Sequence, residues 1–292
     1  MKKTEMENKI EAYLEHLEME ERCAATVAQY RREVHAFLVW AAGCDAGGAE
    51  DAEAGEITKE TVIRYKDELK DAYKPATVNA KLAALNGFFT FLGQPELKVK
   101  QLKVQRQAYC SQEKELTQEE YGKLVTAAKN QGNEKLALLI QTLCATGIRV
   151  SELKFITAEA VETGEAQIRL KGKTRIILLP GKLRKLLRKY IRKQKIRTGP
   201  IFVSRNGNPL NRSNIWRMMK NLCEEAGVDP KKVFPHNLRH LFARTFYSID
   251  HDIARLADIL GHSSIEPTRI YIITTSREHQ KLLDRMSLVL ME

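Results

Sequence analysis

Six residues in the second part of the chain are of types that can act together on a phosphate ester. They lie in TGIRVSEL, between two short apolar runs, in PHNLRH and in LGHSSIEPTRIY, and are Arg149, Lys171, His236, Arg239, His262 and Tyr271. Guanidinium groups fit phosphate oxygens and stay charged. A phenol has a pKa of about 10, so it attacks phosphorus only if a neighbouring group accepts its proton. The set predicts attack on a phosphodiester by Tyr271, followed by resealing to another strand.

Each motif is weak when taken alone, because an ordinary structural role also explains it. His236 and Arg239 share one helical face, as many surface neighbours do. Arg149 follows an apolar helix and a glycine, and it could equally be a capping residue or a partner of Glu152. Tyr271 stands among isoleucines and on its own is typical of a core aromatic. The prediction therefore depends on the whole set.

A metal site is the alternative for the histidines. His236 and His240 have the i, i+4 spacing of a zinc-binding helix. However, Asn237 stands where a metalloprotease has its glutamate, and Arg239 adds a competing positive charge. We therefore predict no metal site and no cofactor.

The composition favours a polyanionic partner. The chain has 292 residues, a formal net charge of +11 and an isoelectric point of about 9.3. No apolar run approaches the roughly 20 residues that span a bilayer, and the opening residues are acidic where a signal peptide is apolar. The five cysteines are odd in number and scattered, so we expect reduced thiols and a cytoplasmic protein without membrane attachment.

Positive charge is concentrated in one segment. From Gln167 to Lys220 every charged residue is Lys or Arg. An ordinary soluble surface mixes both signs, so this segment predicts a surface that faces phosphates. Binding to DNA should then weaken steeply with salt through counterion release.

Periodicity predicts two domains, residues 1–107 and 108–292. In the first, apolar residues recur at helical spacing within Met6–Leu17 and Val27–Leu38, and further helices begin near Thr58 and at Lys74–Pro75. The residues from Gly43 to Gly55 are small and acidic, which is typical of a solvated loop. We place the boundary near Gln107, where the periodicity has faded.

The second domain mixes helices with one hairpin. Thr117 and Glu120 form a capping box at its first helix. Two short β-like runs, Ile168–Leu170 and Thr174–Leu179, flank Gly172. Helical patterns follow at Lys182–Lys193, Asn211–Ala226, Pro235–Tyr247 and Asp252–Leu260, with Gly261 as a stop signal. The fold class is mostly α, with a helical domain and a mixed α+β domain.

The order of the motifs resembles that of the tyrosine recombinase or integrase family. TGIRVSEL, LKGKTRIILLP, PHNLRH and LGHSSIEPTRIY follow one another as the boxes of that family do, and the resemblance covers nearly the whole chain. TVAQYRREVHAFLVWA and KPATVNAKLAALNGFFTFLG resemble the family's core-site-binding domain. Because the sequence starts close to this domain, we expect no additional arm-site-binding domain of the kind that some phage integrases have. It is similar to the compact Xer recombinases and to integrases of small mobile elements.

The resemblance implies a role for each of the six residues. Arg149 and Arg239 would bind the scissile phosphate, and His236 would accept the proton of Tyr271. His262 would donate a hydrogen bond to the phosphate, and Lys171 would protonate the departing 5′ oxygen. The hairpin is one residue shorter than the common family form, which leaves Lys173 as an alternative to Lys171. No metal or nucleotide is needed, because the phosphotyrosyl ester retains the energy of the bond.

The resemblance also implies partners and a biological role. We expect double-stranded DNA with specific recombination sites, a homotetramer on paired sites and an accessory directionality factor. The expected role is integration and excision of a mobile element, and the alternative is an Xer-like resolvase of chromosome or plasmid dimers. A DNA-binding regulator that does not cut and a type IB topoisomerase are alternatives of other classes. The tail from Ser276 to Leu290, which includes Leu282, Leu283, Met286, Val289 and Leu290, packs either on its own domain or on a neighbouring protomer.

Overall fold

The computed structural model describes residues 1–45, 56–103, 115–170 and 173–271. The chain divides into two compact units, Met1–Arg106 and Gln107–Glu292. The predicted boundary near Gln107, the larger part of the acidic loop, Lys171 and the tail from Ser276 to Leu290 lie outside the described residues.

Unit 1 is helical, as the sequence predicts. Its helices are α1 (Lys3–Asn8), α2 (Ile10–Met19), α3 (Ala24–Asp45), α4 (Lys59–Ala72) and α5 (Pro75–Phe91), followed by a 3₁₀ turn at Pro95–Leu97. Thr58 caps α4 by accepting a hydrogen bond from the backbone of Thr61, and Pro75 occupies the first turn of α5. The core is aromatic, with Phe37, Phe88 and Phe89 fully buried.

Two predictions in unit 1 need correction. The first helix is interrupted at Lys9, whose backbone N–H turns back to Met6 in a tighter 3₁₀ bond. Helix α3 continues to Asp45, so it includes the first three residues of the predicted loop. Among the described residues, no atom lies within 4 Å of the place where a Cβ on Gly43 would stand, which fits an exposed helical position.

Two asparagines on α5 fasten the segment that leaves unit 1. The Asn86 side chain donates to the carbonyl of Val99 and accepts from its N–H, at 2.9 and 3.0 Å. Asn79 binds Leu102 in the same way, at 2.9 and 2.7 Å. Each amide thus satisfies both backbone groups of one residue, as a neighbouring strand would. The segment that follows the helices is therefore fastened to α5 at Val99 and Leu102.

Unit 2 combines helices with a two-stranded antiparallel sheet. Its elements are α6 (Gln118–Asn130), α7 (Glu134–Thr146), α8 (Ala158–Thr163), β1 (Glu165–Leu170), β2 (Lys173–Leu178), α9 (Gly181–Gln194), α10 (Arg212–Lys220), α11 (Cys223–Ala226), α12 (Pro235–Asp250), α13 (Ile253–Leu260) and α14 (Glu266–Arg269), with 3₁₀ helices at Val150–Phe155 and Pro230–Lys232. The predicted capping box of Thr117 and Glu120 is present. The fold is mostly α with a small hairpin, which confirms the predicted class.

The hairpin and one helix differ from their predicted bounds. Strand β1 begins at Glu165, and the register pairs Ile168 with Arg175. The predicted helix Asn211–Ala226 is two helices, α10 and α11. The backbone N–H of Leu222 bonds to Met219 in a 3₁₀ turn, so buried Leu222 faces the core between them. Apolar periodicity is retained through such a turn, which is why the pattern alone did not locate it.

Helix α7 lies in the main core of unit 2. Leu139, Ile140 and Leu143 on α7 are fully buried together with Leu124 of α6 and Leu238 of α12. Because the core fixes α7 and α12 against each other, it also fixes the residues that follow α7 and those that face it from α12. No helix in the described parts of the chain has the length and apolarity that crossing a membrane requires.

Candidate active site

Arg239 connects three elements at the centre of the site. Its side chain is among the largest that are fully buried. The guanidinium donates to the carbonyl of Gly147 at 2.7 Å, the carbonyl of Leu260 at 2.8 Å and Nε2 of His262 at 2.8 Å. The predicted arginine of PHNLRH thus joins the C-terminal ends of α7 and α13. Burial lowers the pKa of Arg239, and the nearby Tyr271 hydroxyl acts in the opposite direction.

Gly147 is needed at the turn that follows α7. Its φ is +62°, in the left-handed region. A Cβ at this position would lie 2.7 Å from Cε1 of Phe242, with Cδ1 closer still. The glycine allows α7 to end at this point. The carbonyl of Gly147 then accepts the hydrogen bond from Arg239, and Arg149 follows two residues later. The glycine in TGIRVSEL is therefore required for steric reasons.

The side chain of Arg149 is half-exposed, and Glu152 binds both its backbone N–H and its guanidinium. The Glu152 carboxylate accepts the backbone N–H of Arg149 at 2.7 Å and its Nη1 at 3.2 Å. The Glu152 side chain is 3% exposed, whereas that of Arg149 is 43% exposed. The pairing with Glu152 that competed with a phosphate-binding role is therefore present, yet it leaves the arginine open to solvent. A guanidinium held in this way can receive an anion.

Tyr271 lies against three histidine rings. The ring centroids are 4.5 Å apart for His240, 6.0 Å for His262 and 6.1 Å for His236. Tyr271 also packs on Leu256 and Leu260 in a small apolar cluster and is 4% exposed. It thus makes the contacts expected of a core aromatic and at the same time stands beside the predicted catalytic groups.

The hydrogen bonds of His262 fix its tautomer. Because Arg239 can only donate, Nε2 of His262 accepts, and Nδ1 carries the proton that bonds to Oγ1 of Thr268 at 2.7 Å. Burial and the positive charge of Arg239 lower the pKa of His262 to about 4. His262 is therefore neutral near pH 7 in this arrangement.

His236 and His240 differ in exposure on α12. His236 stands in the first turn and is exposed, and its ring meets that of His240 edge to face at 4.9 Å. Burial and then the charge of Arg239 lower the pKa of His236. Burial and then His236 lower the pKa of His240 to about 4. Both rings are thus kept neutral near pH 7, the form in which an imidazole can accept a proton.

The structure brings five of the six predicted residues into one region. His236, Arg239, His262 and Tyr271 are linked by the contacts above. Arg149 follows two residues after Gly147, whose carbonyl binds Arg239, and its charge helps to lower the pKa of His236, Arg239 and His262. Lys171 lies outside the described residues. The site of the general acid stays a prediction.

Only part of the basic segment faces solvent freely. Five basic side chains, those of Arg175, Arg184, Arg188, Lys193 and Lys220, bind backbone carbonyls or carboxylates of their own unit, so these five do not present free charges on the predicted phosphate-facing surface. On α10, Trp216 is 48% exposed and Lys220 lies 5.1 Å over its ring. The exposed Lys and Arg side chains on α9 and α10 stay candidates for the phosphate-facing surface that the sequence predicts.

Sequence reasoning missed four residues of the site. Glu152 was considered only as an alternative partner for Arg149, and His240 only as a metal ligand. Arg175 was counted as a surface charge, and Thr268 was not considered. The three-residue spacing of Arg149 and Glu152 is a local signal that could have found the carboxylate. Nothing in the sequence near Thr268 indicates its contact with His262.

Residues 114–278, more than half of the chain, match the Phage integrase family, and residues 10–95 match its N-terminal SAM-like domain. The chain belongs to the phage integrase family. It is similar to the tyrosine recombinase XerC of Roseiflexus castenholzii, with 28% identity over 91% of this chain and 88% of the relative. The chain is thus a site-specific tyrosine recombinase, as the order of its motifs predicted.

Two solved structures share the fold of this recombinase. The XerH site-specific recombinase bound to its difH substrate has a TM-score of 0.69 and 20% identity, over 90% of this chain and 79% of that one. A lambda integrase in a tetramer bound to a Holliday junction has a TM-score of 0.69 and 18% identity, over 91% and 76%. These similarities confirm a helical N-terminal domain joined to a mixed catalytic domain.

Proposed function

We propose that this recombinase cleaves DNA by attack of the Tyr271 hydroxyl on a scissile phosphate, with Arg149 and Arg239 binding the non-bridging oxygens. The observation that carries the proposal is the convergence of Arg239, His262 and Tyr271 at the ends of α7 and α13. The bond between phosphorus and the 5′ oxygen breaks, and a 3′-phosphotyrosyl ester forms. A 5′ hydroxyl of another strand then attacks this ester and releases the phenol.

Proton transfers balance this reaction. His236 is the proposed acceptor of the phenolic proton, since it is exposed and held neutral beside Tyr271. Lys171 is the proposed donor to the departing 5′ oxygen, with Lys173 on the same hairpin as the alternative. One phosphate ester is exchanged for another, so the phosphotyrosyl ester retains the energy of the bond and no nucleotide is consumed. Arg149 and Arg239 supply the positive charge that the transition state needs, so chelators should leave cleavage unchanged.

DNA binding has to change two features of the site. Tyr271 is 4% exposed, so a phosphodiester reaches its hydroxyl only after local rearrangement. His262 has no proton on Nε2 while that atom accepts from Arg239. We infer that a bound phosphate draws the Arg239 guanidinium to itself, and that its negative charge favours protonation of His262, which can then donate.

The proposed biological role is integration and excision of a mobile element in the cytoplasm. We propose that a homotetramer assembles on paired sites and that an accessory directionality factor assists it. The tetramer of the structurally similar lambda integrase supports the assembly. Resolution of chromosome or plasmid dimers is the second candidate, because a XerC recombinase is similar over most of its length. The positions of the cleaved sites separate the two: element ends for an integrase, a single chromosomal or plasmid locus for a resolvase.

Covalent trapping tests the proposal. The full chain is incubated with nicked duplexes that tile the genomic surroundings of its gene, and adducts resistant to detergent are sequenced. The wild type should form such adducts at specific sites. Tyr271→Phe should bind the same duplexes but form none, while Tyr73→Phe, on an exposed tyrosine of unit 1, should behave as the wild type. An adduct that survives Tyr271→Phe would exclude Tyr271 as the nucleophile.

A further inference from the structure

Arg175 on β2 binds two elements of the active site at once. Its Nη2 donates to Oε2 of Glu152, and its Nη1 donates to the carbonyl of Ile259 at 2.8 Å. The side chain is 16% exposed, so it is largely removed from solvent. Glu152 belongs to the 3₁₀ helix that follows Arg149, and Ile259 belongs to the last turn of α13. One guanidinium therefore joins the hairpin to the two segments that carry Arg149 and His262.

The turn before His262 packs directly against the side chain of Arg175. Gly261 ends α13 with a φ of +65°, and a Cβ at this position would lie 2.5 Å from Cδ of Arg175. Glycine is therefore required for two reasons, the left-handed backbone and the close approach of the arginine. The next residue is His262, so the position of Arg175 and the position of this imidazole are coupled.

Arg175 also balances the buried charge of Glu152. That carboxylate is 3% exposed and has two guanidinium partners, those of Arg149 and Arg175. If Arg175 is removed, Arg149 becomes the one remaining cationic partner in the described structure. A buried carboxylate with less compensation holds its last cation more tightly. Arg149 would then be less free to turn toward a phosphate.

We propose that Arg175 is a positioning residue for DNA cleavage, which holds Arg149 through Glu152 and His262 through the Gly261 turn. The proposal rests on the proposed function, because it concerns the residues that bind the scissile phosphate. Arg175 itself contacts protein groups, so its contribution is to the orientation of neighbours and not to contact with DNA. A displacement of catalytic groups by about 1 Å can lower a rate by about 100-fold.

Arg184 provides a matched control on α9. Its guanidinium also donates to backbone carbonyls, those of Val161 at 3.2 Å and Glu162 at 2.6 Å. It also packs on a left-handed glycine, since a Cβ on Gly164 would lie 2.7 Å from its Nη1. Arg184 thus resembles Arg175 in its contacts but binds α8, away from Glu152 and α13. A substitution here removes similar interactions without touching the site.

The test compares Arg175→Met, Arg175→Lys and Arg184→Met in two assays on a nicked duplex that the wild type cleaves. One assay measures the dissociation constant of DNA, and the other measures the single-turnover rate of adduct formation per folded molecule. Both Arg175 variants should bind DNA within about threefold of the wild type and cleave it about 30- to 100-fold more slowly. Lysine should not rescue, because one ammonium cannot span two acceptors. Arg184→Met should cleave at the wild-type rate.

A double variant tests the route through Glu152. If Arg175 acts in part through this carboxylate, Arg175→Met combined with Glu152→Gln should slow cleavage by clearly less than the product of the two single effects, whereas independent effects would multiply. Three results would each overturn the proposal. They are effects on the cleavage rate that multiply in the double variant, a cleavage rate for Arg175→Met within about threefold of the wild type, and an equal loss of cleavage rate in Arg184→Met. Failure of both Arg175 variants to fold would overturn it too, since the role would then be structural. A wild-type chain that forms no adduct would instead overturn the proposed function, and this proposal with it.

Discussion

Substitution of Gly147 should affect stability and cleavage together. This glycine ends α7 in the left-handed region, its carbonyl binds the buried Arg239, and the aromatic ring of Phe242 occupies the space where a side chain would be. Gly147→Ala therefore imposes two separate costs, a strained backbone and an overlap with Phe242. Either cost moves the carbonyl that Arg239 depends on.

The magnitude follows from these two costs. A non-glycine residue in the left-handed region costs about 1–2 kcal/mol. Forcing an extra methyl group into packed surroundings costs about 1–3 kcal/mol. The free energy of unfolding should thus fall by about 2–5 kcal/mol, a large part of the roughly 5–15 kcal/mol that stabilises a typical domain. The cleavage rate of the folded fraction should fall as well.

Urea unfolding of four chains separates the two costs: the wild type, Gly147→Ala, Phe242→Ala and the double variant. When Phe242 is truncated, the overlap disappears and the backbone cost stays, so Gly147→Ala should then cost only about 1–2 kcal/mol. An equal loss in both backgrounds would refute the steric argument. A loss below about 1 kcal/mol in the wild-type background would refute the reasoning as a whole.

Three further substitutions test other parts of the structure. Arg149→Lys should bind DNA but form adducts at least about 100-fold more slowly, because an ammonium lacks the planar fork that binds phosphate. Asn86→Ala should lower the free energy of unfolding in urea by about 1–3 kcal/mol, since the N–H and carbonyl of Val99 lose their partner. His240→Gln should make stability less dependent on pH. The pKa of His240 is about 4 in the folded protein and about 6.5 in the unfolded chain, so the unfolded chain binds more protons between these values. Wild-type stability therefore falls as the pH falls through this window, and the variant should lose part of that slope.

Matched controls accompany these substitutions. Asn130→Ala, on an exposed asparagine of α6, should change the free energy of unfolding by less than about 0.5 kcal/mol. His35→Gln, on an exposed histidine of α3, is the matched control in the same measurement. Cleavage by Arg149→Lys at a rate near that of the wild type would contradict the phosphate-binding role. A slope that His240→Gln leaves unchanged would contradict the burial of that imidazole.

Local patterns predicted the elements of this recombinase well. The caps at Thr58 and Thr117, the proline that begins α5 and the glycine that ends α13 each act within a few residues of the chain. Periodicity was less informative at the break between α10 and α11, because a 3₁₀ turn keeps the same residues facing the core. It also did not show that α3 continues to Asp45, where small and acidic residues are compatible with both helix and loop.

The amino-acid sequence by itself determined which chemistry is available, because the types and order of Arg149, His236, Arg239, His262 and Tyr271 already predict a phenol attacking a phosphate. The tertiary structure decided which groups restrain them. Arg239 meets carbonyls 92 and 21 residues away in the chain, and Arg175 meets a carboxylate 23 residues away. Such contacts form only when separate elements pack, and a charged side chain is the same letter in a sequence whether it faces solvent or a buried partner. Burial, tautomer and the identity of the positioning residues therefore had to come from the fold.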